Sequence, residues 1–523
     1  MSHESRLPRT LNRRQALTAM GAVLGASALS GTLAGRAFAA EGQKLTWAVH
    51  LSPTNLFFDP GITPGTGAPL MVQYALHDAL IRPIRGEATG LSLAESMEAA
   101  EDGLSYTFVL REGLKFQNGD PITAEDAKFS FDRYKGANAE LIREFVREAE
   151  VVDERTIRYN LSEPWPDFLT IFGTPASGVA WIVPKAYIES VGDDQFKNAP
   201  IGAGPYKLKS FKPGNEIEFE ASEHYWRKTP EVPDLLLRMI PDAATRLAAI
   251  RNGEVDFAYG IQGDLVREAQ ADPNLRVVSA ALAVSNFAIF ASQYDTNSPW
   301  SDVRVRQAAN LALDRAGMNE VAYAGLATVS NSIIPHVMDF YWAPPAIPYD
   351  PEAAIALLAE AGYPNGFDGG ELFASSDDEL AEFVQANLAA VGINMRLNTA
   401  ERASQLQRVM DKKLTGIVMT GSGAPGNAAI RLQQFVDSGG SLSYIHDDAL
   451  DAEIEAQARI LDPVERAAKL DAIQRQIHDE AMFMPIIEFS FPVVIGPQVG
   501  YDGVNGIPGS PYTTPYEDLT IKS

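Results

Sequence analysis

Two hydrophobic periods trade places along the whole chain. Alternating apolar and polar positions predict strands over residues 44–49, 105–110, 156–161, 216–221, 255–258, 284–291, 394–398, 416–419 and 482–489. The first alternates only weakly and reads as an edge strand. Apolar positions at helical spacing predict helices over 71–80, 123–134, 242–252, 303–313, 351–361, 379–391, 403–412, 449–460 and 463–479. The punctuation agrees. Thr123 with Asp126 makes a capping box, Pro351 opens a helix that Gly362 follows, Gly253 stops another, and Asn118-Gly119-Asp120-Pro121 is a turn. Strands and helices mix with no internal repeat and no long linker, which fits packed α/β lobes.

Composition narrows the class. A chain of 523 residues predicts about three compact units. With 46% hydrophobic and 21% charged residues it can bury a large core and does not read as disordered. Its net charge of −25 repels phosphate backbones, so no nucleic-acid partner is expected. There is no cysteine, which excludes disulfides, thiolate zinc sites, cysteine-held iron–sulfur clusters, catalytic cysteines and a lipid-modified N-terminal cysteine.

The first residues form a basic start (Arg6, Arg9, Arg13, Arg14), an Ala- and Gly-rich stretch over 16–34, and a small-x-small site at Ala37-Phe38-Ala39. That layout predicts a cleavable export signal over residues 1–39. Arg13-Arg14 before Gln15, Ala16 and Leu17 resembles a twin-arginine signal, with Ala16 where an aromatic is usual. The stretch is too weakly apolar for a membrane anchor, which wants about 20 strongly apolar residues. Cleavage removes five arginines and one glutamate and takes the charge from −25 to −29. The expected product is soluble, not membrane-integrated, and periplasmic.

Candidate chemistry is sparse. Gly421-Ser422-Gly423-Ala424-Pro425-Gly426 fits G-x-G-x-x-G after a strand, but Pro425 removes a backbone donor and no run of βα units surrounds it. A tight binding-cleft loop is the better reading, and no cofactor is expected. The histidines (His3, His50, His77, His224, His336, His446, His478) show no i, i+3 or i, i+4 pairing, so no metal site is expected. No G-x-S-x-G follows the signal, and no catalytic residue is assigned. Of the many loop aromatics, Phe57 is a candidate cleft residue.

Five ordered blocks carry a family resemblance. The first runs from Leu93-Ala94-Glu95-Ser96 through Glu101-Asp102-Gly103-Leu104-Ser105-Tyr106-Thr107-Phe108 and Leu110-Arg111-Glu112-Gly113 to Asn118-Gly119-Asp120-Pro121, with Met97 where Trp is common. The others are Ile201-Gly202-Ala203-Gly204-Pro205-Tyr206 with His224-Tyr225-Trp226, then Gly253-Glu254-Val255-Asp256, Asp302-Val303-Arg304-Val305-Arg306 to Leu313-Asp314-Arg315, and Tyr349-Asp350-Pro351 to Gly362-Tyr363-Pro364. Together they resemble the family 5 extracellular solute-binding proteins, the dipeptide, oligopeptide and nickel binders of bacterial ABC importers. The resemblance implies an α/β, two-lobed periplasmic-binding-protein fold of Venus-flytrap type, with an extra subdomain in the first lobe. Lobe I would combine 41–77, 199–284 and 490–523, the extra subdomain would be 78–198, and the ligand-clamping lobe II 285–489. It also implies a monomer that closes on a small-molecule or peptide-like solute and delivers it to an inner-membrane ABC permease and ATPase complex. The motif residues would be structural: Gly103 and Gly119 in turns, Gly204 in a bend before Pro205, and Asp302, Arg304 and Arg306 at a helix start.

This chain departs from the peptide binders at one point. Where they carry G-W-x-A-D, with the aspartate facing the peptide ammonium, residues 421–425 read G-S-G-A-P. Ser422 falls near the Trp and Pro425 near the Asp. A buried ammonium without a partner costs several kcal/mol, so a free-amino peptide is an unfavourable ligand. Modified peptides, opine-like conjugates, glycosides and metal chelates stay open. Ser422, Gly423 and Asn427 are the candidate ligand contacts, with Asn286 on the strand entering lobe II. Arg402 either clamps an anionic group or lies solvated. An exported hydrolase acting on a small peptide or ester is the alternative, because fold does not fix function.

Overall fold

The computed structural model describes residues 43–522 apart from 64, 66, 85, 86, 377, 379, 424, 425 and 508. The predicted export signal, and Ala424 and Pro425 of the Gly-rich loop, lie outside the described residues. In chain order the strands are β1 (Lys44–Val49), β2 (Ile81–Ile84), β3 (Glu87–Leu91), β4 (Ala94–Ala99), β5 (Ser105–Leu110), β6 (Val146–Val151), β7 (Thr156–Leu161), β8 (Tyr206–Lys212), β9 (Glu216–Ala221), β10 (Asp234–Met239), β11 (Phe257–Tyr259), β12 (Arg276–Phe290), β13 (Thr328–Val329), β14 (Phe367–Ser375), β15 (Ile393–Ala400), β16 (Ile417–Ser422) and β17 (Phe483–Ile495). Five helices matter below: α1 (Val303–Leu311), α2 (Arg402–Met410), α3 (Ala428–Phe435), α4 (Asp448–Gln457) and α5 (Pro463–Asp479).

One sheet runs through the molecule in the order β15-β14-β16-β12-β17-β11-β1-β10-β9-β8, with β13 added on β17. Strands β12 and β17, of 15 and 13 residues, are its spine. Their outer halves pair Arg276↔Ile495 to Ala281↔Ser490, next to β11. Their inner halves, from Ser285↔Glu488 onward, lie beside β16. The register breaks between Ala281 and Ser285. A separate four-stranded antiparallel sheet, β4-β5-β7-β6, is built from residues 94–161.

Period-two alternation assigns the two faces of the spine to different cores. Ala288, Phe290, Met484 and Ile486 face one cluster with Val305, Leu358 and Leu388. Phe287, Ile289 and Phe483 face the other with Leu432, Leu450, Leu470 and Ile473. At the other end, Leu45, Trp47 and Val49 join the largest cluster, and Ala48, Ala258 and Val494 pack under Leu247, Ile250 and Val266.

Two expectations need correction. The strand 44–49 is interior rather than edge: it lies between β11 and β10, and five of its six residues are buried. Its alternation is weak because both faces are covered. The strands expected at 284–291 and 482–489 are the inner halves of longer strands. Gly204 lies in the expected bend before Pro205. It is needed because a Cβ there would stand 2.5 Å from the Ala75 carbonyl oxygen. The expected caps form: Asp126 Oδ2 accepts from Thr123 N at 2.9 Å, and Asp350 caps the helix that Pro351 opens. The Asp302 cluster does start a helix. Asp302 caps α1, and the Arg306 guanidinium is buried among the carbonyls of Trp300, Glu480 and Ala481.

Candidate functional site

Strands β15, β14 and β16 are parallel, so their C-terminal ends open on one side. In open α/β sheets ligands bind outside such ends. Here the rim is formed by Ser375, Ala400 and Ser422 and the segments that follow them. Strand β12 runs antiparallel beside β16 and sets Asn286 opposite Gly421 and Ser285 opposite Ser422. Asn286 is buried, and its Nδ2 donates to Asp378 Oδ2 at 3.3 Å, past the end of β14. That bond passes over β16 where the residue is Gly421, at which a Cβ would crowd the Ser285 carbonyl oxygen at 2.8 Å. Asp378 Oδ1 accepts from Leu380 N at 3.1 Å. Among the described residues, Asn286 Oδ1 is a buried acceptor with no partner.

The other candidates are dispersed. Ser422 ends β16, paired on its backbone with Ser285. Gly423 is exposed, and a Cβ there would lie 3.1 Å from Val284. Asn427 is buried with its side chain already engaged. Its Oδ1 accepts from Ile430 N at 3.1 Å and caps α3, and its Nδ2 donates to Asp167 Oδ1 at 2.7 Å. Arg402 is exposed at the start of α2, after the edge strand β15 and two strands, roughly 10 Å, from β16. Phe57 sits in a short helical turn on the largest core cluster, and among the described residues no hydrogen bond or ring contact ties it to the other five. The structure thus groups Asn286, Ser422 and Gly423, puts Asn427 beyond them in a supporting role, and separates Arg402 and Phe57.

Several rim residues carry no sequence motif. Glu488, opposite Ser285 on the spine, is buried and accepts from His336 N and from His336 Nδ1 at 2.5 Å. Burial pushes its carboxyl up, and the His336 contacts oppose that. Arg431, on α3, is buried and donates to the Ala283 carbonyl at 3.2 Å; desolvation brings its guanidinium down to about 10. Away from these, His50 follows β1, with its ring 5.9 Å from Phe491 and 6.1 Å from Tyr512. Burial and then the nearby Arg246 charge lower its pKa. One sequence signal could have found His50: it stands at the end of a strand in an α/β lobe. The Glu488–His336 pair spans 152 residues and has no local signature.

With this geometry in place, comparison with known proteins is decisive. The family model for bacterial extracellular solute-binding proteins, family 5, matches residues 90–443. The chain belongs to this family. It is a solute-binding protein of the ABC-importer type, and such proteins hand peptide or small-molecule ligands to a membrane permease and its ATPase. It is 29% identical over 415 residues to the glutathione-binding protein GsiB of Escherichia coli (strain K12), covering 76% of this chain and 80% of that protein. The structure of NikA from Brucella suis in complex with Fe(III)-EDTA matches with a TM-score of 0.76 and 26% identity, covering 92% of this chain and 100% of that one. AgaA, in complex with agropinic acid, from A.tumefacien R10, matches with a TM-score of 0.64 and 25% identity, over 92% and 99%. The two-lobed α/β fold follows from such matches, and the hydrolase alternative finds no support among them. These relatives are binding proteins rather than enzymes. Among the described residues no helix is long and apolar enough to cross a membrane.

Proposed function

We propose that this protein captures a periplasmic solute between its lobes at the rim of β14, β16 and β12, and releases it chemically unchanged to an inner-membrane permease. In this reading the chain is exported by its first 39 residues, by the twin-arginine route, and works as a monomer. Lobe I is 41–77, 199–284 and 490–523, the extra subdomain 78–198 and lobe II 285–489, so β12 and β17 cross between lobes where their register breaks.

The observation that carries the site assignment is Asn286 Oδ1, among the described residues a buried acceptor without a partner, on the strand position opposite the exposed Gly421. A buried acceptor left unmade costs about 1–3 kcal/mol, so a ligand N–H or O–H is its natural complement. With Ser422 nearby and Pro425 where peptide binders carry a carboxylate, this favours a neutral amide- or hydroxyl-bearing ligand head over an ammonium. Relatives named for glutathione, Fe(III)-EDTA and agropinic acid keep modified peptides, chelates and opine-like solutes as the candidate classes.

Native mass spectrometry of protein purified from its own host tests this by identifying the retained solute. Asn286→Ala is expected to weaken that solute about tenfold, and Ser422→Ala to weaken it less. Pro425→Asp is expected to weaken it too and to admit free-amino peptides. Unchanged affinity in all three variants would place the anchor elsewhere in the cleft.

A further inference from the structure

Asp167 lies just before the short helix Phe168–Phe172, in the part of the chain that carries the four-stranded sheet. Its carboxylate receives three hydrogen bonds from residues far along the chain. Arg466, in the first turns of α5, donates from both terminal nitrogens, at 2.7 Å to Oδ1 and 2.9 Å to Oδ2. Asn427 Nδ2 adds the third at 2.7 Å. The pair is sealed from water, with side-chain exposures of 2% for Arg466 and 8% for Asp167. Arg466 is held in place independently. Its Nε donates to Gln457 Oε1 at 2.9 Å, and its guanidinium lies 5.3 Å from the Phe340 ring centre. A second contact lies nearby: a Cβ at Gly103 would meet Leu461 at 2.8 Å and Pro164 at 3.1 Å.

We propose that Asp167, Arg466 and Asn427 form an interlobe latch that holds the cleft closed. The proposal rests on the solute-binding reading above.

The physical argument concerns reversibility. A buried ion pair gains about as much in Coulomb energy as its two ions lose in hydration, so it is poor glue. That suits a clamp that must open. When the lobes part, Asp167 and Arg466 both return to water and little is lost. When they meet, a bidentate fork accepts one relative orientation and rejects others. Asn427 ties this clamp to the start of α3. Its two polar atoms serve two masters, the N-terminus of α3 and Asp167. Linkage makes the effect mutual: a solute that binds better in the closed cleft favours docking, and docking favours the solute. Asp167, Arg466 and Asn427 are positioning residues in this scheme and need not touch the solute.

The chain has no cysteine, so two introduced ones report unambiguously. Leu104→Cys and Val464→Cys, both at exposed positions, would carry spin labels on the two sides of the contact. Distances are read by double electron–electron resonance on the chain as purified. The expected result is a short-distance population that falls about fivefold or more in Asp167→Asn and in Arg466→Met. It should return in the charge-reversed pair Asp167→Arg with Arg466→Asp. Asn427→Ser, which keeps the helix cap and loses the reach to Asp167, is expected to deplete it in part and guards against a misfolded charge variant. A purely structural pair would lower the melting temperature and leave the distances alone, and that outcome overturns the latch. So does a parent chain with no short population. Because this readout needs no solute, its failure is separate from failure of the Asn286 and Ser422 assignment, which is judged by solute retention.

Discussion

A single buried ring is expected to give this protein an acid sensitivity. His77 is fully buried, its Nε2 bonded to the Phe58 carbonyl at 2.9 Å, and desolvation pushes its pKa from 6.5 down to about 4. Between those values the unfolded chain takes up a proton that the folded chain refuses. Stability is therefore unaffected above pH 6.5 and falls as pH drops through the window, by about 3 kcal/mol in full. Denaturant unfolding at pH 7 and pH 4.5 should show the loss, and His77→Gln should flatten it. Equal pH slopes in the two proteins would mean that other groups set the acid limit. The candidate ligand residues divide on the same physics. Asn286 keeps a buried atom for a guest, whereas both polar ends of Asn427 are already occupied.

At the scale of elements, approach distance explains positions that conformation does not. Gly204 donates to the Leu76 carbonyl at 2.9 Å, and the end of the helix Leu70–Leu76 leaves no room for a Cβ. Gly204→Ala is expected to cost about 3 kcal/mol or more, since backbone on both sides must shift. A change of less than about 1 kcal/mol in urea unfolding would show that the contact relaxes. The spine strands teach the complementary lesson. Their inner halves are legible because they are almost wholly apolar, as strands covered on both faces must be. Their outer halves, such as Arg276 to Ser279 and Ser490 to Pro492, mix polar residues and a proline into the run, and no single-face pattern marks them. β1 was legible at its full length, and its weak alternation marks a strand covered on both faces rather than an edge.

For the whole molecule, a solute clasped between lobes stabilises the closed form by mass action. At a hundredfold excess over Kd the gain is about 2.7 kcal/mol. The retained solute should raise the melting temperature of stripped protein, and small-angle scattering should show compaction with it. A rise in melting temperature with unchanged shape would mean binding to one lobe without closure. What the sequence determined by itself is the set of local agreements. Caps at Thr123, Asp302 and Asp350, the alternating cores, and ordered motif blocks now spanned by a family match over residues 90–443 are all written within a few residues of one another. Tertiary structure alone decided which groups meet. Asn286 and Asp378 are 92 residues apart, Asn427 and Asp167 are 260, and Arg466 and Asp167 are 299. A hydrogen bond reaches about 3 Å, so whether such pairs form depends on how the sheet is ordered and how the lobes dock. Neither leaves a local pattern in the chain.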